Sequence, residues 1–299
     1  MAPHRFGGVW TDDKLDRVAK YLSAYTRIFR ANERARFFTT LYIDAFAGSG
    51  TRSPASRPDR SAPLFADVEA DPEARQFKAG SAANALGVTP GFDRYVFIES
   101  DRQRASDLAG LVEQHPDKRD RVRILPEDAN EALLRLVRQT DWQRHRAVAF
   151  LDPYGMAVEW STIQALAGTR AIDLWLLFPL GQAVNRLLVR REIPTGGFAD
   201  ALTRCFGTDE WRTAFYQTSS QGELFGDVPG VEKVASFDSI AAFFRRRLES
   251  VFAAVAPTSL PLVNSKNNPL FLLCFAAANA RGAKTAIKIA NDILKSSKG

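Results

Sequence analysis

Two short stretches of the sequence contain residue types that could bind a ligand and accept a proton. The first, Asp44-Ala45-Phe46-Ala47-Gly48-Ser49-Gly50, follows three apolar residues that are typical of a buried strand. Its two glycines would let backbone N–H groups approach a ligand with no side chain in between. The second, Asp152-Pro153-Tyr154-Gly155, directly follows the apolar run 147–151. A carboxylate in that position could accept a hydrogen bond from the N–H group of a weakly nucleophilic amine, and later accept its proton.

Both stretches can also be interpreted as plain turns, because glycine and proline are common in turns. A strand-to-loop turn at Gly48 and Gly50 needs no ligand. The second stretch comes directly after a buried strand, and this position favours the functional interpretation. There the Asp152 carboxylate and a backbone carbonyl beside Pro153 could accept the two hydrogens of an amine, and the Tyr154 ring could stack on a planar ligand.

Apolar runs that alternate with helical patterns would bring these residues to one edge of a sheet. Buried strands are predicted at 41–43, 94–98, 122–125, 147–151 and 172–178. This alternation predicts an α/β fold with a doubly wound, mainly parallel sheet that binds ligands at the carboxyl ends of its strands. Glu99 follows the second run and could bind ribose hydroxyls there. Asp128 follows the third run and could cap the helix that begins at Ala129.

The sequence divides into three predicted parts. Residues 1–37 form an N-terminal helical segment, residues 38–181 and 258–299 form the sheet-bearing core, and residues 182–257 form a helical insertion where the alternation stops. Arginines in the insertion suit a substrate or partner surface, although a solvated face would have the same composition; they are Arg186, Arg190, Arg191 and Arg245 to Arg247. A second insertion, residues 52–79, is either a lid or a connector, and Ser81 after it is predicted to cap a helix.

Composition bounds the compartment and the kinds of site. The chain has 299 residues, a net charge of +6 and a pI of about 9.4, which suits a polyanionic partner such as nucleic acid. Only three histidines and two distant cysteines, Cys205 and Cys274, argue against a metal site and favour a reducing, cytoplasmic compartment. No apolar run reaches transmembrane length, so no membrane association is expected.

The two stretches resemble motifs of one enzyme class. D-x-F-x-G-x-G resembles motif I of class I S-adenosylmethionine (SAM) methyltransferases, in the form common among nucleic-acid amino-methyltransferases. D-P-Y-G resembles their motif IV, D/N-P-P-Y/F, and more closely the D-P-F-G of tRNA N2-dimethylguanosine enzymes. The resemblance implies a Rossmann-like class I methyltransferase fold with a mainly parallel seven-stranded sheet, and SAM as cofactor. The implied SAM-binding residues are Asp44, Phe46, Gly48, Gly50, Glu99, Asp128 and Ala129, and the implied catalytic residues are Asp152, Pro153 and Tyr154.

From about Trp10 to Leu294 the chain also resembles the three-Cys-motif partner (TcmP) proteins. Both stretches carry this resemblance, and the more particular D-L-W-L-L-F-P-L-G at 173–181 extends it. It implies a bacterial or phage context and a partner with a three-cysteine motif, of a radical-SAM-like kind. Two functions therefore stay open. One is a SAM-dependent methyltransferase acting on an exocyclic amine of a base in RNA or DNA. The other is a methyltransferase-like partner subunit of an iron–sulfur protein in a modification or defence system.

Overall fold

A mainly parallel β-sheet forms the centre of the protein in a computed structural model that describes residues 9–49, 80–219 and 230–296. The strands are β1 (Thr39–Asp44), β2 (Arg94–Ile98), β3 (Val122–Leu125), β4 (His145–Leu151), β5 (Ile172–Phe178), β6 (Tyr216–Ser219), β7 (Gly230–Lys233), β8 (Ala254–Val255), β9 (Leu260–Val263) and β10 (Pro269–Ala277). Gly50, a predicted cofactor-binding residue, and the insertion 52–79 lie outside the described residues.

The central sheet has the strand order β3-β2-β1-β4-β5-β10-β8, and β9 also pairs with β10. The first five strands are parallel neighbours in the doubly wound order, whereas β10 runs antiparallel to β5. Ala276 pairs with Val255 of β8, and Leu273 pairs with Leu260 of β9. Strands β8 and β9 therefore form one interrupted edge strand, so the sheet has seven strand positions. The predicted Rossmann-like fold, with a mainly parallel sheet of seven strand positions and helices on both faces, is confirmed.

Helices cover both faces of the sheet. They are α1 (Val9–Ala31), α2 (Ser81–Gly87), α3 (Arg102–Glu113), α4 (Ala129–Gln139), α5 (Trp160–Gly168), α6 (Gly196–Phe206), α7 (Trp211–Phe215), α8 (Phe237–Glu249) and α9 (Ala280–Lys295). Successive side chains of a strand point to opposite faces. Accordingly, Leu41 and Ile43 join an apolar cluster with α4 to α8, and Tyr42 joins a second cluster with α1, α2, α3 and α9. None of the described helices combines the length and the apolar content needed to cross a membrane.

The segment after β5 differs in part from the predicted helical insertion. It begins with a π-helical turn, Leu180–Val184, and a short helix, Asn185–Leu187, before α6 to α8. It also contains an antiparallel hairpin, because β6 pairs with β7. The sequence-based prediction of a helical insertion did not include this hairpin. The mostly polar strand Tyr216–Ser219 lacks the apolar alternation that marks a half-buried strand. Helix α8 packs on the sheet, where Phe244 stacks on Phe178 of β5 with ring centroids 3.9 Å apart.

The start of α2 also differs from the prediction. The helix begins at Ser81, and Gly80 before it has a left-handed φ of 114° and makes no side-chain cap. Ser81 is therefore the first helical residue and not its cap. Its hydroxyl instead donates a hydrogen bond to the carboxylate of Asp44.

Candidate active site

Three of the predicted acids lie at the same edge of the sheet. Asp44, the last residue of β1, is paired with Phe97 of β2 and with Phe150 of β4. Glu99 and Asp152 each follow those partners by two residues and come directly after the ends of their strands. All three are buried. The carboxyl ends of β1, β2 and β4 thus hold three carboxylates on adjacent strands, which is where open α/β sheets bind ligands.

The glycine turn is attached to the end of β2. Gly48 has a φ of 62°, in the left-handed region that favours glycine. Its N–H donates to Glu99 Oε2 at 2.9 Å, and the N–H of Asp101 donates to Glu99 Oε1, also at 2.9 Å. These two bonds fix the orientation of the Glu99 carboxylate. Each carboxylate oxygen has a further lone pair, so Glu99 can still accept a hydroxyl hydrogen from a ligand.

The Asp44 carboxylate stabilises the start of the turn that contains Gly48. Its side chain is fully buried and accepts hydrogen bonds from the backbone N–H of Phe46 (3.3 Å), the hydroxyl of Tyr42 (3.4 Å) and the hydroxyl of Ser81. Burial raises the pKa of Asp44 to about 7. Phe46 is half-buried and packs against the apolar cluster of α4 to α8. Asp44 therefore braces the turn, and its direct contact with a cofactor remains a prediction.

Asp152 has one paired and one unpaired oxygen. Lys14 Nζ, from helix α1, lies 2.5 Å from Asp152 Oδ2, and the lysine side chain is completely buried. Asp152 Oδ1 is also buried, and it has no hydrogen-bond partner among the residues that the structure describes. Pro153 beside it is buried too. The carboxylate is thus held at one oxygen, while the other oxygen can accept a hydrogen from a ligand.

Tyr154 lies at the surface next to this carboxylate, with 44% of its area exposed. Its hydroxyl accepts a hydrogen bond from Arg104 Nη1 at 2.8 Å. Partial burial raises the pKa of Tyr154, which keeps the phenol neutral near pH 7 although Arg104 acts in the opposite direction. The Nε atom of Arg104 lies 3.6 Å from Glu99 Oε1. Arg104 therefore joins the loop after β4 to the end of β2.

Asp128 caps helix α4. Its carboxylate accepts the backbone N–H groups of Asn130 (2.8 Å) and Glu131 (3.1 Å), which confirms the helix-cap interpretation. Asn130 then braces the loop after β4: its Nδ2 donates to the carbonyl of Ala157 at 2.8 Å. Ala129 is buried. Contact of Asp128 and Ala129 with an adenine remains a prediction.

Sequence reasoning missed two residues of this site, Lys14 and Arg104. A signal for Lys14 was present: it shares a helical face with Val18, Tyr21 and Tyr25, all buried. A lysine on an apolar face must find a charged partner. Arg104 gave no comparable signal, because an arginine in the first turn of a polar helix is ordinary.

No protein-family model matches the chain, and no curated protein matches it. Similar solved structures include protein LPL1258 from Legionella pneumophila, with a TM-score of 0.49 and 12% identity over 96% of this chain and 92% of that one. Trm1 from Pyrococcus horikoshii in complex with SAM gives a TM-score of 0.43 and 12% identity, over 96% of this chain and 61% of Trm1. An O-methyltransferase from Bacillus cereus in complex with SAH gives 0.35 and 13%, over 91% and 93%. Because these TM-scores and identities are low, the fold is assigned from the strand order and register of this chain.

Proposed function

We propose that the protein is a SAM-dependent methyltransferase that methylates an exocyclic amine of a nucleic-acid base. The observation that carries the proposal is the Asp152 carboxylate, which is 6% exposed and has a buried Oδ1 without a partner among the described residues. A buried polar atom without a hydrogen bond costs free energy, so such an atom at a sheet edge suits a ligand that donates to it. An exocyclic amine is a donor of this kind.

The residues at the ends of β1 and β2 fit the cofactor. The left-handed backbone at Gly48 leaves no side chain between the main chain and a ligand. Glu99 is oriented by two backbone N–H groups and retains acceptor capacity for ribose hydroxyls. When bound, SAM would supply an electrophilic sulfonium methyl group, and its sulfur would keep the electron pair of the broken C–S bond as a neutral thioether. We assign the cradle to Gly48 and Glu99, with Phe46 beside it and Asp44 bracing it from below.

Asp152 then acts on the amine. The lone pair of an exocyclic amine is conjugated into the ring, so the nitrogen is a poor nucleophile. A hydrogen bond donated by the amine N–H to Asp152 Oδ1 orients the amine and increases the electron density on its nitrogen. As the nitrogen gains the methyl group, Oδ1 takes the proton, and the nitrogen ends neutral. The half-exposed ring of Tyr154 offers a stacking surface for a base taken out of its helix.

The test joins binding to transfer. Calorimetry with SAM should show one binding site for each chain. Labelled methyl transfer to total RNA, total DNA and total protein should then place the label in nucleic acid, on the base amine. Failure to bind SAM, or label in protein alone, would contradict the proposal.

A second candidate is the partner-subunit function that the TcmP resemblance implies. One observation favours it: both Glu99 oxygens already accept backbone N–H groups, which accounts for a buried acid without any ribose. On this proposal the isolated protein transfers no methyl group. A protein with a three-cysteine, radical-SAM-like motif would then co-purify with it, and the activity would reside in the complex.

A further inference from the structure

Helix α1 brings a cation into the proposed active site. Lys14 is fully buried, and its ammonium lies 2.5 Å from Asp152 Oδ2 across 138 residues of sequence. The opposite oxygen, Oδ1, is the buried atom without a partner among the described residues. The two oxygens of one carboxylate are thus made different by a single contact.

The position of Lys14 is fixed by contacts further along the same helix. Arg17 Nη2 donates to the backbone carbonyl of Ser296 at 2.7 Å, just after α9. Tyr21 donates its hydroxyl to Asp173 Oδ2 on β5, also at 2.7 Å. Because α1 is attached to both α9 and β5, the Lys14 ammonium is held in place before any ligand arrives.

We propose that Lys14 is a positioning residue for methyl transfer: it holds Asp152 Oδ2 so that Oδ1 faces the amine. This inference rests on the proposed function. The physical reason is the soft torsion of an aspartate carboxyl group, which is broad and roughly two-fold. Without a partner on Oδ2 the carboxyl plane would rotate, and the proton acceptor would leave the amine. A buried ion pair fixes the plane because attraction between charges is strong in a medium of low dielectric constant.

Two other roles for Lys14 give different results. A purely structural ion pair would dock α1 and leave the rate of methyl transfer unchanged once the protein is folded. A lysine that contacts the cofactor directly would change SAM affinity and act independently of Asp152. A double-mutant cycle in the rate, read together with SAM affinity, separates the three roles.

The experiment compares Lys14→Met, Asp152→Asn and the double variant in single-turnover methyl transfer at saturating SAM, on whichever of total RNA or total DNA the wild type methylates. Lys14→Met should lower the rate by about 10- to 100-fold, the size expected when a reacting group is misplaced by about 1 Å. In the Asp152→Asn background the same change should alter the rate by less than about two-fold, because the group that Lys14 positions no longer acts as a base. Lys14→Arg should recover part of the rate. Lys20→Met, at an exposed position of the same helix, is the matched control and should match the wild type.

A second readout does not depend on activity. The dissociation constant of SAM, measured by calorimetry, should stay within about three-fold of wild type in Lys14→Met. If Lys14→Met does not fold, Lys14→Gln replaces it throughout the cycle. Rate losses that multiply in the double variant, or a loss of SAM affinity, would overturn the positioning role, as would a folded Lys14→Met protein with wild-type transfer. A wild type that binds SAM but methylates neither RNA nor DNA would instead refute the proposed function itself.

Discussion

The hydroxyl of Tyr154 accepts a hydrogen bond from Arg104 Nη1 at 2.8 Å, and the guanidinium carbon lies 5.6 Å from the centre of the tyrosine ring. The D-P-Y-G motif predicts a use for the ring alone, since stacking needs no hydroxyl. In the structure the hydroxyl fixes the ring against α3. The same arginine lies 3.6 Å from Glu99, so the proposed base-stacking and ribose-binding residues share one neighbour.

The first prediction concerns this contact. Tyr154→Phe should lower kcat/KM for the nucleic-acid substrate about two- to ten-fold, the effect of losing a hydrogen bond worth about 0.5–1.5 kcal/mol. Tyr154→Ala should weaken binding of the target base by about 1–3 kcal/mol, because stacking is lost as well. The double variant Arg104→Met with Tyr154→Phe should have nearly the same kcat/KM as Arg104→Met alone. Steady-state kinetics measures each effect. If Tyr154→Phe equals the wild type, the hydroxyl has no role in positioning the ring.

The second prediction tests the glycine turn. Gly48 adopts a φ of 62°, where a residue with a Cβ is disfavoured by about 1–2 kcal/mol. Gly48→Val would add that strain and also place a branched side chain between the backbone and the cofactor. SAM binding measured by calorimetry should fall below detection. Gly110→Ala is the control: a Cβ at this exposed position of α3 would meet nothing within 4 Å, so SAM affinity should not change. A folded Gly48→Val protein with wild-type affinity would remove the cofactor site from this turn.

The sequence allowed the strands and the acids at their ends to be predicted, because both are local signals. An apolar run predicts a buried parallel strand, and the acid that follows it is therefore predicted at the carboxyl end of that strand; the three acids are Asp44, Glu99 and Asp152. The partners of those acids were not predictable in the same way. Lys14 reaches Asp152 across 138 residues, and only the packing of α1 on the sheet brings the two together. Pairing between distant segments follows from the tertiary fold and leaves no fixed spacing in the sequence.

The third prediction divides the arginines of the segment after β5. Arg247 is part of the fold: its Nε donates to the carbonyl of Phe206 at 2.9 Å, and its guanidinium carbon lies 4.7 Å from the ring centre of Trp160. Arg190 is exposed and lies close enough to Lys233 to help burial lower the pKa of that lysine. Arg190→Glu should therefore weaken nucleic-acid binding without changing Tm. It should also reduce the magnitude of the negative slope of log affinity against log salt by about one.

Arg247→Glu is the contrasting variant. It should lower the free energy of unfolding by about 2 kcal/mol, because it removes a hydrogen bond and a cation–π contact. Binding titrations at several salt concentrations and thermal unfolding give the two readouts. Equal effects of the two variants on binding, with Tm unchanged in both, would contradict this division of the arginines.

The fourth prediction concerns pH and stability. Burial raises the pKa of Asp173 to about 7, whereas an unfolded aspartate has a pKa of about 3.9. Between these values the folded state binds the proton more tightly, so stability falls as the pH rises from about 4 to about 7. Asp173→Asn should flatten this part of the curve and add up to roughly 4 kcal/mol above pH 7. Tyr21→Phe should extend the fall to higher pH, because the Tyr21 hydrogen bond lowers the pKa of Asp173. Urea unfolding between pH 4 and pH 8 measures both, and identical slopes in all three proteins would contradict the assignment.

The last prediction separates the charge of Asp152 from its contribution to the fold. The motif alone suggests that Asp152→Ala leaves the fold intact. The structure predicts otherwise, because alanine would leave the fully buried Lys14 ammonium without its carboxylate partner, and breaking a buried pair costs about 3–5 kcal/mol.

Asp152→Asn is the sharper test, since its amide oxygen can still accept a hydrogen bond from Lys14 while its basicity is lost. Methyl transfer in Asp152→Asn should fall by about 10²–10⁴, the usual effect of losing a positioned proton acceptor. SAM affinity should stay near the wild-type value because Gly48 and Glu99 are untouched. Single-turnover transfer at saturating SAM, with circular dichroism and thermal unfolding as controls, measures these effects. If Asp152→Asn transfers methyl groups at the wild-type rate, the D-P-Y-G stretch is a turn that docks α1, and the partner-subunit function becomes the better account of the chain.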